Sequence, residues 1–236
     1  MNSATLLVFA RLPQAGMVKT RLCPPLTATE AARVHRVCLE AVMHGVLSLG
    51  GVDAVLVGTP DGSGPAFQRL FGRRRVRVWD QGAGTLGDRL ARAMRRAFGD
   101  GATRVAAIGT DTPQMDAGYI EAAWAGLDDA DAVLGPTDDG GYCLIGLRHD
   151  PQWGHDPGRL FENIDWGTSR VAEQTRARIR SQEWSGVELP TLYDVDRAGD
   201  LWRIADGPVG GFLTGDVQAE LRRIALTAAS RAQTGQ

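Results

Sequence analysis

The sequence predicts an α/β fold, a single domain over residues 1–236 built on a mainly parallel sheet with helices on both faces. Two observations predict it. Apolar runs of strand length alternate with stretches of helical periodicity, the pattern of strand–helix–strand units. Residues with motif character fall directly after those runs, where open α/β sheets bind ligands beyond the carboxyl ends of their strands.

The first run, Thr5 to Ala10, is continuously apolar after its first residue, as in a strand covered on both faces, and Pro13 and Gly16 then signal a turn. Thr27 and Glu30 form a capping-box pattern, and Val34, Cys38, Val42 and Val46 continue as one face of a helix. Asp61 to Pro65 reads as a loop between strands at Val55–Val57 and Val76–Trp79. A basic helix over Leu86–Phe98 and a strand at Val105–Ile108 come next. A helix over Ala117–Ala125 precedes strands at Ala132–Leu134 and Tyr142–Ile145. The pattern closes with a helix over Ser169–Ile179, a strand near Leu192, a helix near Leu201 and a C-terminal helix over Asp216–Ala229.

The composition is that of an ordinary globular protein, 43% hydrophobic and 23% charged. With 26 basic against 28 acidic residues, nothing points to a nucleic-acid backbone or a membrane surface as partner. No apolar run approaches the roughly 18 residues of a membrane-spanning helix, and Leu6–Ala10 is too short for a signal peptide. Three cysteines without metal-type spacing fit a reducing, cytoplasmic setting. The four histidines form no ligand-like cluster; His35 and His44 lie on a predicted helix and read as surface groups.

Four segments carry chemistry, each with a plainer alternative. Gly16-Met17-Val18-Lys19-Thr20-Arg21 follows a strand, as a P-loop does, but the two glycines that motif places before its lysine are here Pro13 and Val18. Gly16 still permits close backbone approach, and Lys19 and Arg21 supply positive charge, so the segment is an anion site or a solvated basic turn. Asp111, in Gly-Thr-Asp-Thr-Pro, is a ligand for Mg²⁺ or Mn²⁺ or a helix N-cap. Thr137-Asp138-Asp139-Gly140-Gly141-Tyr142 supplies another metal ligand or is a tight hairpin turn; the favoured reading is mixed, with the glycines shaping the turn, the loop lining a pocket and a cation relieving the adjacent carboxylates. Asp194 and Asp196, at i and i+2 of an extended segment, point to one face and reach one metal, or else Asp196 caps the next helix and Asp194 is solvated.

These residues carry a resemblance. Phe9-Ala10-Arg11-x-Pro13-x-x-Gly16-x-Val18-Lys19-Thr20-Arg21-Leu22 resembles the opening signature of the DUF2064 glycosyltransferase-like family. Further blocks follow in order: Leu86–Arg89, Ile108–Pro113, Leu134–Tyr142, Ile164–Trp166 and Leu189–Asp196, so that the resemblance spans about residues 5–205. Two features depart from the pattern: Arg11 stands where the family more often has lysine, and the glycine-rich opening of sugar nucleotidyltransferases is missing. The resemblance implies a GT-A-like, Rossmann-like nucleotide-diphospho-sugar transferase fold, related to MobA-like and 2-phospholactate guanylyltransferase-like nucleotidyltransferases. By that resemblance Arg11, Gly16, Lys19, Thr20, Arg21 and Gly87 bind the nucleotide. Asp111, Asp194 and Asp196 hold Mg²⁺ or Mn²⁺, and Thr112, Asp138, Asp139, Gly140, Gly141, Tyr142 and Trp166 line the substrate pocket. Lys19, Arg21, Asp111 and Asp139 are the expected catalytic groups. The expected activity is metal-dependent glycosyl transfer from a nucleoside-diphosphate sugar to a small-molecule acceptor, by a monomer or homodimer. The alternatives are nucleotidyl transfer with pyrophosphate release and nucleotide binding without catalysis.

Overall fold

The computed structural model describes residues 3–71, 76–149 and 156–234. Among these residues seven strands form one sheet: β1 (Ala4–Arg11), β2 (Asp53–Thr59), β3 (Arg77–Asp80), β4 (Arg104–Ile108), β5 (Ala132–Pro136), β6 (Tyr142–Arg148) and β7 (Gly186–Glu188). Eight α-helices accompany them: α1 (Ala28–Ser48), α2 (Gly64–Phe71), α3 (Leu86–Gly99), α4 (Ala117–Asp129), α5 (Pro157–Leu160), α6 (Val171–Ser181), α7 (Ala198–Asp206) and α8 (Gly215–Thr234). The strand order is β3-β2-β1-β4-β6-β5-β7. All pairs are parallel except those of β6, which runs antiparallel to both β4 and β5.

Alternation along β1 explains how both faces of the sheet are buried. Leu6, Val8 and Ala10 pack with Leu39, Val42 and Met43 of α1, Phe67 of α2 and Ile120 of α4. Leu7 points the other way, against Leu90 and Met94 of α3 and Ile179 of α6. Leu6, Leu7 and Val8 are fully buried, worth about 2 kcal/mol each relative to exposure. The opposite side of α1, through Val34 and Cys38, packs on Leu201 of α7 and Leu221 and Ile224 of α8. The capping box forms as expected: the Glu30 N–H donates to Thr27 Oγ1 (3.2 Å) and the Thr27 N–H to Glu30 Oε2 (2.9 Å).

Three differences from the sequence reading have physical causes. Residues 64–71 form α2, held by Phe67 and Phe71 one turn apart, where no helix was expected. Leu192 makes only an isolated bridge to Thr137, and the edge strand is β7, six residues and less upstream. α5 is a single short helix that begins at Pro157 behind an Asp156 cap. Among the described residues, no helix is long and apolar enough to cross a membrane.

Candidate functional site

The order of strands creates the site. From β1 the chain moves outward to β2 and β3, then returns to β4 on the other side of β1. The crevice between the ends of β1 and β4 is thus the switch point at which such sheets bind ligands. The loop after β1 forms one side and Gly109-Thr110-Asp111 after β4 the other. Between them lies an open cleft of about 720 Å³.

Lys19 is the centre of its polar wall. The residue adopts a left-handed backbone conformation (φ 49°, ψ 37°) at the head of a short 3₁₀ turn over Thr20–Leu22. A non-glycine residue held there marks a conformation that the surroundings impose. Buried Val18 and Leu22 anchor the loop on either side. The Lys19 side chain is only 3% exposed, and its Nζ lies 2.6 Å from Asp111 Oδ1 and 2.9 Å from Asp196 Oδ1. Burial alone would lower the lysine pKa, but the two carboxylates override it and hold the ammonium above its usual range. Burial would likewise raise the Asp111 carboxyl, and the Lys19 charge instead holds it well below the usual carboxylate range. Both carboxylates keep substantial exposure, 40% for Asp111 and 36% for Asp196, so each presents oxygen to the cleft. An ammonium has three donors and these contacts use two.

The Asp194-Val195-Asp196 segment docks on this group by its backbone, the Val195 N–H donating to the Asp111 carbonyl at 2.9 Å. Val195 is fully buried, and the flanking carboxylates fall beside Asp111 as the alternation of an extended segment requires. They differ in partners. Asp196 faces the cleft with Lys19, and Arg21 lies 3.7 Å from its Oδ2. Asp194 accepts a 2.6 Å hydrogen bond from the buried Thr112 hydroxyl. Burial and the neighbouring Asp111 charge push the Asp194 carboxyl up to about 7.

Three cleft residues, His35, Gln81 and Arg89, are absent from the expected site residues. His35 is buried rather than exposed: Nε2 lies 2.9 Å from the Arg11 carbonyl and Nδ1 3.8 Å from Asp111 Oδ1. The Ala31, His35, Leu39 spacing on α1 was its available signal, since both neighbours are apolar and one turn away. His44 is exposed, and His155 lies outside the described residues. Gln81 is buried where β3 ends and donates to the Ala10 and Val57 carbonyls, tying the ends of β1 and β2 together. Arg89 of α3 donates to Gln81 Oε1 and to the Gly84 carbonyl.

Charge in the cleft is unequal. Arg11, Lys19, Arg21 and Arg89 line it against two carboxylates, Asp111 and Asp196. Among the described residues Arg11 and Arg89 donate only to neutral oxygens, so no carboxylate there offsets their charge. The result is an anion-attracting cleft with an acidic spot beside Lys19. Thr20 also lines it, and Gly16 lies in the same loop.

The other expected pocket residues take different places. Asp138 pairs with Arg203 of α7 (2.6 Å), whose guanidinium also stacks on Tyr193. Asp139 Oδ1 accepts from the Thr137 hydroxyl (2.6 Å) and the Gly141 N–H (2.9 Å), closing its own turn. Its Oδ2 has no hydrogen bond among the described residues. Gly140 packs on the backbone of Ser169. Tyr142 meets Trp166 edge-on, with ring centroids 6.4 Å apart. Gly87, in the first turn of α3, lies against Phe161 and Trp166 and lines a second cleft with them.

Comparison with solved structures defines the class first. The chain superposes on a "putative nucleotide-diphospho-sugar transferase" from Desulfovibrio desulfuricans G20 with a TM-score of 0.87, at 30% identity over 98% of each chain. It superposes with a TM-score of 0.55 on a nucleotidyl transferase from Methanothermobacter thermautotroptrophicus, at 18% identity over 87% of this chain and 97% of the other. A cytidylyltransferase from Leptospira borgpetersenii matches at 0.51, with 13% identity over 98% of this chain and 96% of the other. The fold is therefore one that nucleotide-diphospho-sugar transferase-like and nucleotidyl transferase proteins share. The chain belongs to the DUF2064 family, described as "Uncharacterized protein conserved in bacteria", whose profile matches residues 42–168. That span includes four of the motif blocks and leaves out the first loop and the Leu189–Asp196 segment. No curated protein matches the chain.

Proposed function

We propose that the protein is a transferase that binds the diphosphate of a nucleoside-diphosphate sugar in the cleft between β1 and β4 and moves the sugar to a small-molecule acceptor. The observation that carries this reading is the excess of cationic groups around a switch-point cleft, four against two carboxylates, with a buried lysine at its base. The family relationship to a protein described as a nucleotide-diphospho-sugar transferase supports it. Arg11, Arg21 and the remaining Lys19 donor would face the phosphates, with Thr20 and the open backbone at Gly16 beside them. In the reaction the bond from the anomeric carbon to the diphosphate oxygen breaks, and the leaving diphosphate keeps the electron pair. The acceptor hydroxyl forms the new carbon–oxygen bond and loses its proton. For an inverting reaction Asp139 is the proposed base for that proton, acting through the Oδ2 that its turn leaves without a hydrogen bond among the described residues.

Asp111, Asp194 and Asp196 are the proposed holders of Mg²⁺ or Mn²⁺. Burial first, and the neighbouring Asp111 charge second, raise the Asp194 carboxyl to about 7; a divalent cation would relieve the second of these, which supports the assignment. Among the described residues no three His, Cys, Asp or Glu side chains converge as a preformed metal cage. Mg²⁺ commonly takes one or two carboxylates and completes its shell with substrate phosphates and water, so the donor set fits. When bound, the ion would supply charge neutralisation to the departing diphosphate.

The fold shared with a nucleotidyl transferase supports a second reading, transfer of a nucleotidyl group from a nucleoside triphosphate to a phosphorylated acceptor. One experiment tests both. Thermal shifts are measured with nucleoside triphosphates and nucleoside-diphosphate sugars, with and without Mg²⁺ or Mn²⁺, and products are then identified. A ligand at about 100 times its Kd adds about 2.7 kcal/mol of stability. Release of the nucleoside diphosphate supports glycosyl transfer and release of pyrophosphate supports nucleotidyl transfer. No response to any nucleotide would overturn both.

A further inference from the structure

A second cleft of about 900 Å³ adjoins the first, and Gly84 lines both. It lies between the first turns of α3 and the segment from α5 to Trp166. Its character is the reverse of its neighbour's. Two guanidinium groups, Arg92 and Arg95, and two carboxylates, Asp88 and Glu162, line it, so it has no formal charge excess. Its groups are also largely committed. Arg95 grips Asp156 through two bonds of 2.7 and 2.9 Å. Arg92 donates to the carbonyls of Gln81 and Ala83, which do not neutralise it, and Glu162 is the lining carboxylate that offsets its charge. Asp88 caps Thr85. The cleft is therefore a poor site for a phosphate and a good one for an uncharged ligand.

The indole of Trp166, half-buried and backed by Phe161 and Tyr142, supplies its apolar wall. The loop that carries Trp166 is fastened in place. The Asp165 N–H donates to Gln174 Oε1 (2.8 Å), and Asp165 Oδ2 accepts from Arg170 (2.7 Å) and Gln174 (2.8 Å) of the α6 terminus. The Thr168 hydroxyl donates to the Asp165 carbonyl. Asn163, beside it on the cleft wall, is held at a φ of 54°, a left-handed conformation uncommon outside glycine. An aromatic wall fixed by four hydrogen bonds, with polar side chains at the rim, is the form of a pre-organised small-molecule pocket.

We infer that this second cleft is a sugar subsite, binding an uncharged polyhydroxylated ring with its apolar face on Trp166. The inference rests on the transferase reading above for its ring's role and deepens it. The ring belongs either to the donor, reached across Gly84 from the diphosphate cleft, or to the acceptor.

The test uses the full-length chain and the part of its fluorescence that Trp166 contributes, taken as wild type minus Trp166→Phe. The probes are UDP, UDP-glucose, GDP, GDP-mannose, methyl α-D-glucopyranoside and methyl α-D-mannopyranoside. A saturable change with a sugar nucleotide but not with its diphosphate supports the subsite and assigns it to the donor. A saturable change with a methyl glycoside alone supports it and assigns it to the acceptor. In either case Trp166→Ala should weaken the sugar-dependent binding about tenfold or more, while any binding of UDP or GDP measured by calorimetry stays as in wild type. No change with any sugar-bearing probe overturns the subsite. So does sugar-dependent binding that survives Trp166→Ala. If a methyl glycoside binds and no nucleotide shifts the melting temperature, the subsite stands and the transferase reading falls. If nucleotides bind and no sugar reaches Trp166, the reverse holds.

Discussion

Gly16 and Gly140 place the same demand on the backbone and meet opposite surroundings. Each lies in a loop after a strand at the carboxyl edge of the sheet, and each is left-handed, with φ of 78° and 87°. Around Gly16 no atom lies within 4 Å of where a Cβ would stand. At Gly140 that position is filled by the carbonyl of Ser169, and the Gly140 carbonyl itself accepts from the Ala172 N–H. The charged residues of the two loops divide in the same way. Lys19 draws Asp111 and Asp196 into a group that still faces a cleft. Asp138 is committed to Arg203, and Asp139 Oδ1 to its own turn. Residue types alone do not separate a ligand-facing loop from a self-supporting one; the free space and spare donors beside them do.

Substitution at Gly140 should produce the largest effect on stability. Gly140→Ala puts a β-carbon into the Ser169 backbone and a left-handed strain on alanine, at a cost of about 3 kcal/mol. For a chain of this length that lowers the melting temperature by about 6–12 °C. Calorimetry checks it, and a variant as stable as wild type would remove the contrast between the loops.

Lys19→Met comes next. Removing one partner of a buried ion pair typically costs 3–5 kcal/mol, as a rough range. Here Asp111 and Asp196 are 40% and 36% exposed and water would screen them, so about 2 kcal/mol is expected. Adding Asp111→Asn should recover part of the loss, because the neutral amide no longer needs a cation. The pH window follows from the directions of the shifts. The raised lysine contributes fully below its ordinary 10.5 and is lost only as pH rises through its folded value. The depressed Asp111 contributes above 3.8 and is lost as pH falls through its folded value. Because Lys19 also lowers the Asp194 carboxyl, and both carboxyls protonate earlier without it, the difference between wild type and Lys19→Met in urea titration should persist to pH 10 and narrow as pH falls toward 4. A difference that vanishes at neutral pH would mean the pair is not formed.

Asp194 should act in the opposite sense. Its folded pKa of about 7 lies above the ordinary 3.8, so the protonated form is favoured in the folded state and stability declines as pH rises from about 4 to 7. Asp194→Asn should flatten that decline by about 1–2 kcal/mol, since the carboxyl is only partly buried and keeps the Thr112 hydroxyl. Melting curves of the two proteins across that range decide it; parallel curves would show that Asp194 is ionised throughout.

Much of the fold was legible where one signal dominated. The Thr27–Glu30 box and the four-residue spacing from Val34 marked α1 because that helix is long and amphipathic. α2 was hidden because two phenylalanines one turn apart are too short a period to distinguish from a loop anchor. Strand direction leaves no mark on composition, yet the five residues between β5 and β6 are too few for a parallel crossover, so the reversal of β6 was within reach. In the site, Lys19 and Asp111 were found by their places after strands, and Asp196 by its i, i+2 spacing from Asp194. The bridge from Lys19 to Asp196 spans 177 residues, and local spacing holds no trace of it. His35 was read as a surface group because α1 is buried on two sides, by the sheet and by α7 and α8, and a one-face periodicity underestimates such a helix.

Gly16→Ala should give the smallest loss. Alanine pays about 1 kcal/mol for the left-handed conformation and meets nothing, so the melting temperature should fall by about 2–4 °C. Its informative readout is binding. If the open side of this loop receives the phosphates, the added methyl group stands in their approach, and nucleotide affinity measured by calorimetry should drop by a larger factor than the stability loss alone accounts for. In Gly140→Ala, measured well below its melting temperature, affinity should stay near wild type while stability suffers. If the two variants instead lose stability and affinity in the same proportion, the loops differ in degree only, and the division between a ligand-facing loop and a self-supporting one would have to be abandoned.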